Sequence, residues 1–323
     1  MSRRVAVVSI VIAACAILVL VVAAVSSREN ASAATRPDTA SHAKVKGVRI
    51  AAAGDIACDP GSEFFAHGRG TGLTCRQLAT SNTLVRGHYA SVLALGDTQY
   101  EDGAYEKFVA SYDPSWGRVK SITKPAPGNH EYESSGATGY YRYFGRAAGD
   151  PRKGYYSFDV GRWHLIALNS NCSAVGGCRA GSPQEQWLRR DLTAHPAACT
   201  LAYWHHPRFS SGAHGSDSTY RAFWQALYDA GADVVLSGHD HDYERFAAQT
   251  PRGDRDPRRG LRQFVVGSGG KEVRPFSTVR ANSEARDATS LGVLQLTLGA
   301  GAYAWRFRPS VGLFTDSGST RCH

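Results

Sequence analysis

At five places in this chain a short apolar or proline-bounded run of strand length gives way to residues able to bind a metal ion. Residues 48–53 lead into Gly54-Asp55, and residues 91–95 into Gly96-Asp97-Thr98-Gln99-Tyr100. Pro125-Ala126-Pro127 precedes Gly128-Asn129-His130-Glu131. Residues 200–204 end in His205-His206-Pro207, and residues 233–236 in Ser237-Gly238-His239-Asp240-His241. In open α/β sheets, ligands bind outside the carboxyl ends of the strands. Strand ends that repeatedly deliver Asp, Asn or His therefore converge on one crevice. Taken singly, each is ordinary turn chemistry, since Gly, Asp and Asn all favour turns. The pair His239 and His241 says more, because alternate residues of an extended segment face the same side.

The remaining pattern is that of an α/β chain. Strands are expected at residues 45–53, 91–95, 200–204, 233–236, 263–266, 291–298 and 303–308. A hairpin is expected from 157–160 and 163–168 around Gly161-Arg162. Residues 183–194 read as a helix, with Ser182 as N-cap and Glu185 three residues on completing a capping box. A second helix is expected over 218–230, with Asp217 as cap. Helices lie between strands in the middle of the chain, and hairpin-like strands dominate its last third. The fold class is α/β, with mixed sheets packed together and helices outside.

Composition removes whole classes of function. With 323 residues, 42% hydrophobic and 20% charged, the chain is neither disordered, collagen-like nor a coiled coil. A single apolar run long enough to cross a bilayer excludes a polytopic membrane protein. The net charge is +9, with a local basic cluster at residues 252–262. That cluster has no interleaved aromatics, so it reads as a solvated loop, and no nucleic-acid partner is predicted.

Arg3 and Arg4 precede a run, residues 5–25, that is apolar apart from Ser9, and Ala31-Ser32-Ala33 follows. A basic head, an apolar core and a small-x-small site are the parts of a secretory signal peptide. Residues 1–33 are expected to be that signal, cleaved after Ala33, with an uncleaved membrane anchor as the alternative. Residues 34–44 are expected to be a linker and 45–323 one domain. Both readings place the domain outside the cytoplasm, and the membrane is a partner only through an uncleaved N-terminal segment. Beyond Cys15, six cysteines remain, which in an exported chain points to disulfides. The expected pairs are Cys58–Cys75 and Cys172–Cys178, closing short loops, and Cys199–Cys322, tying the tail to a strand.

The donor types narrow the chemistry. Carboxylates, imidazoles, an amide oxygen and a phenol suit iron, zinc or manganese better than a thiolate-held structural zinc. One carboxylate can ligate two ions, and Asp97 is the natural bridge. Two ions about 3.5–4 Å apart clamp an in-line displacement at phosphorus.

Together, Gly54-Asp55, Gly96-Asp97-x-x-Tyr100, Gly128-Asn129-His130-Glu131, His205-x-Pro207 and Gly238-His239-x-His241-x-Tyr243-Glu244-Arg245 resemble the calcineurin-like metallophosphoesterase superfamily, and within it the purple acid phosphatases. The resemblance implies a four-layer sandwich of two mixed β-sheets flanked by helices. It implies a dinuclear centre: iron held by Asp55, Tyr100 and His241, a second ion (zinc, manganese or iron) held by Asn129, His205 and His239, and Asp97 bridging. His205 is preferred to His206 because the family pattern is His-x-Pro. His130 is expected beside the substrate phosphate and leaving group, and His214 near a further phosphate contact. The implied activity is hydrolysis of small phosphate esters, phosphomonoesters first, by a metal-bound hydroxide. An extracellular phosphodiesterase or nucleotidase is the alternative, and a non-catalytic phosphate- or metal-binding protein a further one.

Two departures from the family bear on this reading. Many members carry Asp-x-His in the first motif, where this chain has Asp55-Ile56-Ala57, and Tyr100 supplies the compensating ligand. Large plant members also have an N-terminal β-sandwich domain, so nothing that domain contributes to dimerisation is carried over. A zinc protease is excluded by the lack of H-E-x-x-H.

Overall fold

The computed structural model describes residues 45–323. The expected signal (1–33) and linker (34–44) lie outside the described residues.

The strands are, in chain order, β1 (Val48–Ala53), β2 (Ser91–Leu95), β3 (Thr123–Ala126), β4 (Tyr156–Val160), β5 (Trp163–Ala167), β6 (Cys199–Tyr203), β7 (Val234–Ser237), β8 (Tyr243–Phe246), β9 (Arg262–Val266), β10 (Ser283–Asp287), β11 (Leu291–Leu298), β12 (Ala302–Val311) and β13 (Ser317–Arg321). They form one sheet in the order β13-β12-β11-β1-β2-β3 and another in the order β10-β8-β9-β7-β6-β5-β4. Both are mixed. In the first, β1, β2 and β3 run parallel and β11 to β13 antiparallel. In the second, β5, β6, β7 and β9 run parallel, β4 and β8 run against them, and β10, antiparallel to β8, runs their way again.

The apolar runs of β5 to β7 serve two cores at once. Successive strand residues point to opposite faces. Trp163, Leu165, Leu201, Tyr203, Val234 and Leu236 face the core shared with the first sheet. Ile166, Leu168, Ala202, Trp204 and Val235 face the other way, toward Leu188, Phe223, Trp224 and Leu227 on the helices Pro183–Ala194 and Arg221–Asp229. Burial on both faces is why these strands read as continuous apolar segments rather than alternating ones. The helix Gln77–Gly87 packs against β11 and β12, which gives the expected helix–sheet–sheet–helix layering.

Local chemistry sets the element ends. Ser182 caps its helix by accepting the Glu185 N–H at 3.4 Å, with Pro183 in the first turn. The expected capping box is displaced by one residue, since the Glu185 carboxylate accepts the N–H of Gly181 at 2.9 Å. Asp217 accepts the Thr219 N–H at 2.8 Å, but it caps a 3-10 turn, Ser218–Tyr220, that leads into the helix Arg221–Asp229. β1 begins at Val48 rather than residue 45. The sequence reading did not anticipate strands β8, β10 and β13. β10 and β13 are polar and half-exposed, so neither carries an apolar pattern.

All three expected disulfides are present: Cys58–Cys75, Cys172–Cys178 and Cys199–Cys322. Among the described residues no helix is long and apolar enough to cross a membrane.

Candidate metal centre

The carboxyl ends of β1, β2 and β3 in one sheet meet those of β6 and β7 in the other. The sheets are tied at this edge by the Gly54 N–H, which donates to the carbonyl of Val266 at 2.9 Å. Immediately after their strands, Asp55, Asp97 and His239 take left-handed backbone conformations, with φ of 61°, 47° and 70°. Such values are uncommon outside glycine and cost free energy. Each turns the chain sharply so that the side chain enters the crevice. The glycines beside them are needed for space. A Cβ at Gly96 would lie 2.5 Å from His205 Nδ1, and one at Gly128 would lie 2.1 Å from Asp97 Oδ1.

The seven expected ligands come together in one largely buried cluster with two lobes, Asn129 and His239 being partly exposed. In the first lobe Tyr100 Oη lies 2.9 Å from Asp55 Oδ1, 3.1 Å from Asp97 Oδ2 and 3.0 Å from His241 Nε2. In the second, His205 Nε2 lies 3.1 Å from Asn129 Oδ1, 3.2 Å from His239 Nδ1 and 3.2 Å from Asp97 Oδ2. Asp97 Oδ2 therefore belongs to both lobes. The Nδ1–H of His205 donates to the carbonyl of Leu95 at 2.9 Å, which turns its Nε2 toward the cluster.

Hydrogen bonding among these groups does not account for their proximity. One phenol proton cannot serve the carboxylates of both Asp55 and Asp97 around Tyr100 Oη. Burial, then the charges of Asp55 and Asp97, push the Tyr100 phenol well above its ordinary value. Burial, and then His205, push His239 below the ordinary imidazole value, so it presents neutral nitrogen. At His205 burial opposes charge, but Asp97 and Asp55 outweigh it and raise the group to about 9. Two carboxylates in a dry pocket thus draw positive charge to their midst. His241 Nδ1 is buried with no hydrogen-bond partner, 3.7 Å from Glu272 Oε1. This donor set, buried and over-supplied with lone pairs, fits hard or borderline metal ions.

His130 and His214 stand at the rim. The His130 ring lies 4.3 Å from that of Tyr100, its Nδ1 bonds the carbonyl of Glu101, and its Nε2 is 3.9 Å from Asp97 Oδ2. The His214 ring lies 4.1 Å from that of His239. Asp240 holds His214 through Nδ1 at 3.0 Å and through its backbone N–H at 2.8 Å.

Sequence reasoning passed over three contributors. Glu131 accepts backbone N–H groups around Asp97 and was visible only as the last letter of its motif. Asp240 sits between two expected ligands, and nothing in the local pattern marked it as the partner of His214. His206 was set aside in favour of His205, yet one of its ring nitrogens lies within 4.8 Å of the ligand atoms of His205 and His239.

Comparison with known proteins places this geometry in a family. The model of the calcineurin-like phosphoesterase family matches residues 48–243. Purple acid phosphatase 15 of Arabidopsis thaliana is 27% identical over 277 residues, covering 74% of this chain and 50% of its own, so the chain spans about half of that relative. The solved purple acid phosphatase PPD1 from yellow lupin seeds superposes with a TM-score of 0.69 at 17% identity, over 86% of this chain and 54% of its own. A dimetal phosphatase from Danio rerio superposes with a TM-score of 0.56 at 16% identity, over 84% of this chain and 98% of its own. With its family model matched, its two-sheet sandwich and its clustered strand-end ligands, this chain belongs to the calcineurin-like phosphoesterase family and is similar to the purple acid phosphatases.

Proposed function

We propose that this protein is a dinuclear metal-dependent phosphoesterase acting first on phosphomonoesters. The observation that carries the reading is the shared position of Asp97 Oδ2, 3.1 Å from Tyr100 Oη and 3.2 Å from His205 Nε2. Asp55, Tyr100 and His241 would hold one ion, iron by the resemblance. Asn129, His205 and His239 would hold the other, zinc, manganese or iron, with Asp97 contributing to both. A pair of ions so held would supply an activated oxygen nucleophile and neutralise the phosphoryl oxygens.

The protein's own groups do the rest. The backbone turns at Asp55, Asp97 and His239 are set before substrate arrives, so no reorganisation is required at the moment of reaction. As the oxygen nucleophile forms its bond to phosphorus, the bond to the ester oxygen breaks. The departing alkoxide takes a proton from His130, and alcohol and inorganic phosphate result. His130 suits that role because its ring stands beside Tyr100 at the rim. His214, held by Asp240, is suited to contact a phosphoryl oxygen.

Three disulfides support an extracytoplasmic location, because such bonds persist in oxidising compartments. The N-terminal segment 1–33 is proposed as the export signal. The test is metal analysis of the purified full chain together with a panel of mono- and diesters across pH. Two ions per chain and preferential turnover of monoesters are expected. Preference for diesters would replace the monoesterase reading with that of a phosphodiesterase. Two bound ions with no turnover anywhere in the panel would sink the hydrolytic reading.

A further inference from the structure

We propose that His206 donates a hydrogen bond from its Nε2–H to a phosphoryl oxygen, with Ser170 as the residue that positions it. The proposal rests on the phosphoesterase reading for its ligand but not on turnover.

The argument begins with proton accounting. Ser170 Oγ accepts the backbone N–H of His206 at 3.2 Å and lies 2.7 Å from His206 Nδ1. Ser170 is buried, and its hydroxyl has no other partner among the described residues. A hydroxyl offers one proton and two lone pairs. The backbone N–H occupies a lone pair, so the hydroxyl proton is satisfied only by donation to Nδ1. The ring proton of neutral His206 then sits on Nε2.

The neighbouring histidine has the opposite arrangement. His205 spends its Nδ1–H on the carbonyl of Leu95, so Nε2 is the nitrogen left to face a metal ion. Two adjacent histidines are thus held as different tautomers by different second partners. The tautomer of a ring nitrogen is set by the bond the other nitrogen makes. His205 is built to ligate and His206 to donate.

The position of His206 suits a donor to an anion. Its ring stacks on Tyr220, with centroids 5.7 Å apart and an interplanar angle of 20°. Tyr220 is itself fixed by donating its hydroxyl to the carbonyl of Ser170 at 3.1 Å. The ring also lies 4.4 Å from that of His239. One ring nitrogen falls within 4.8 Å of the ligand atoms of His205 and His239. Nε2 has no protein partner among the described residues. A protonated nitrogen has no lone pair for a metal, but it matches an anionic oxygen held beside one. Hydrogen bonds of that kind are the short, strong ones.

The experiment measures binding of inorganic phosphate to the metal-loaded full chain by calorimetry, with metal content determined on the same samples. His206→Ala should keep both ions and bind phosphate about ten-fold more weakly, the scale of one lost hydrogen bond to a charged group. Ser170→Ala should also keep both ions, weaken phosphate binding several-fold, and abolish the strong preference for the Nε2–H tautomer read from the ring 15N shifts. Loss of an ion from His206→Ala would overturn the proposal in favour of a ligand role, and unchanged phosphate affinity would overturn it outright. If His206→Ala does not fold, Ser170→Ala retains the ring, and a native tautomer with native phosphate affinity there would overturn it equally. A wild type that binds phosphate through His206 but hydrolyses no ester would sink the hydrolytic reading and leave this contact standing.

Discussion

Glu131 holds the turn that presents Asp97. Its two carboxylate oxygens accept the backbone N–H groups of Asp97 at 3.0 Å, Thr98 at 2.8 Å, Gln99 at 3.2 Å and Gly128 at 2.6 Å, and the Thr98 hydroxyl at 2.9 Å. Two strand-end loops, after β2 and after β3, are thereby locked to one buried carboxylate. Five donors leave no room for a carboxyl proton, although burial and the nearby Asp97 raise the group above its ordinary value. Asp97, the proposed bridge, is strained at φ 47°, and Glu131 is what the strain is held against.

Glu131→Gln keeps the shape but turns an NH2 group toward backbone N–H donors. A loss of about 2–3 kcal/mol in unfolding free energy is expected, the scale of broken bonds to a charged group. Metal affinity should fall roughly 10–100-fold, as for groups that orient ligands. Denaturant midpoints and metal titration check both, and native values for each would exclude a supporting role.

Asp97→Ala should lose both metals and all activity, because one oxygen serves both lobes. Tyr100→Phe should weaken only the ion beside Asp55 and His241. If that ion is ferric iron, as the resemblance implies, the wild type is coloured by phenolate charge transfer and Tyr100→Phe is bleached. Metal content and the visible spectrum decide, and a variant at Asp97 that retains both ions would rule out the bridge.

His130→Ala should keep both ions, since its ring stands beside the ligands rather than among them. A positioned proton donor contributes about 10²–10⁴-fold in rate. The loss should be large on alkyl phosphates, whose leaving groups are basic, and small on an activated aryl phosphate. Equal losses on both would remove His130 from the leaving-group role.

A histidine outside the proposed ligand set is expected to give stability a pH dependence. His164 is buried, with Nδ1 2.8 Å from Asp159 Oδ1 and Nε2 2.8 Å from Asp191 Oδ2, so it ties β5 to β4 and to the helix Pro183–Ala194. Burial alone would lower its affinity for a proton, but the bonds to Asp191 and Asp159 outweigh it and raise the group. A raised histidine stabilises fully below its unfolded value, about 6.5, and loses that contribution as pH rises through its folded value. The advantage of wild type over His164→Gln in denaturant midpoint should therefore shrink as pH rises above about 6.5. A pH-independent difference would exclude the protonated bridge.

The positions of the proposed ligands were legible because each is local grammar: an apolar strand, a glycine or tight turn, then Asp, Asn or His. The central strands were legible for a related reason, since two-faced burial writes a continuous apolar run. β10 and β13 were not, because edge strands exposed on one side can be built from Ser, Gly, Glu and Arg with no apolar pattern. The disulfide pairs followed from short loops in two cases and from the need to anchor a tail in the third.

By itself the sequence determined which residue types arrive at strand ends and in what order, because those choices depend on neighbours one to five positions away. Only the tertiary structure decided which oxygen of Asp97 lies in both lobes, which carboxylate braces its turn, and which partner each of two adjacent histidines bonds through Nδ1. Those outcomes depend on Leu95, Glu131 and Ser170, which lie 110, 34 and 36 residues from the groups they orient. A hydrogen bond across such a distance leaves no periodicity in the chain. It exists only once two sheets have packed and brought their carboxyl ends to one edge.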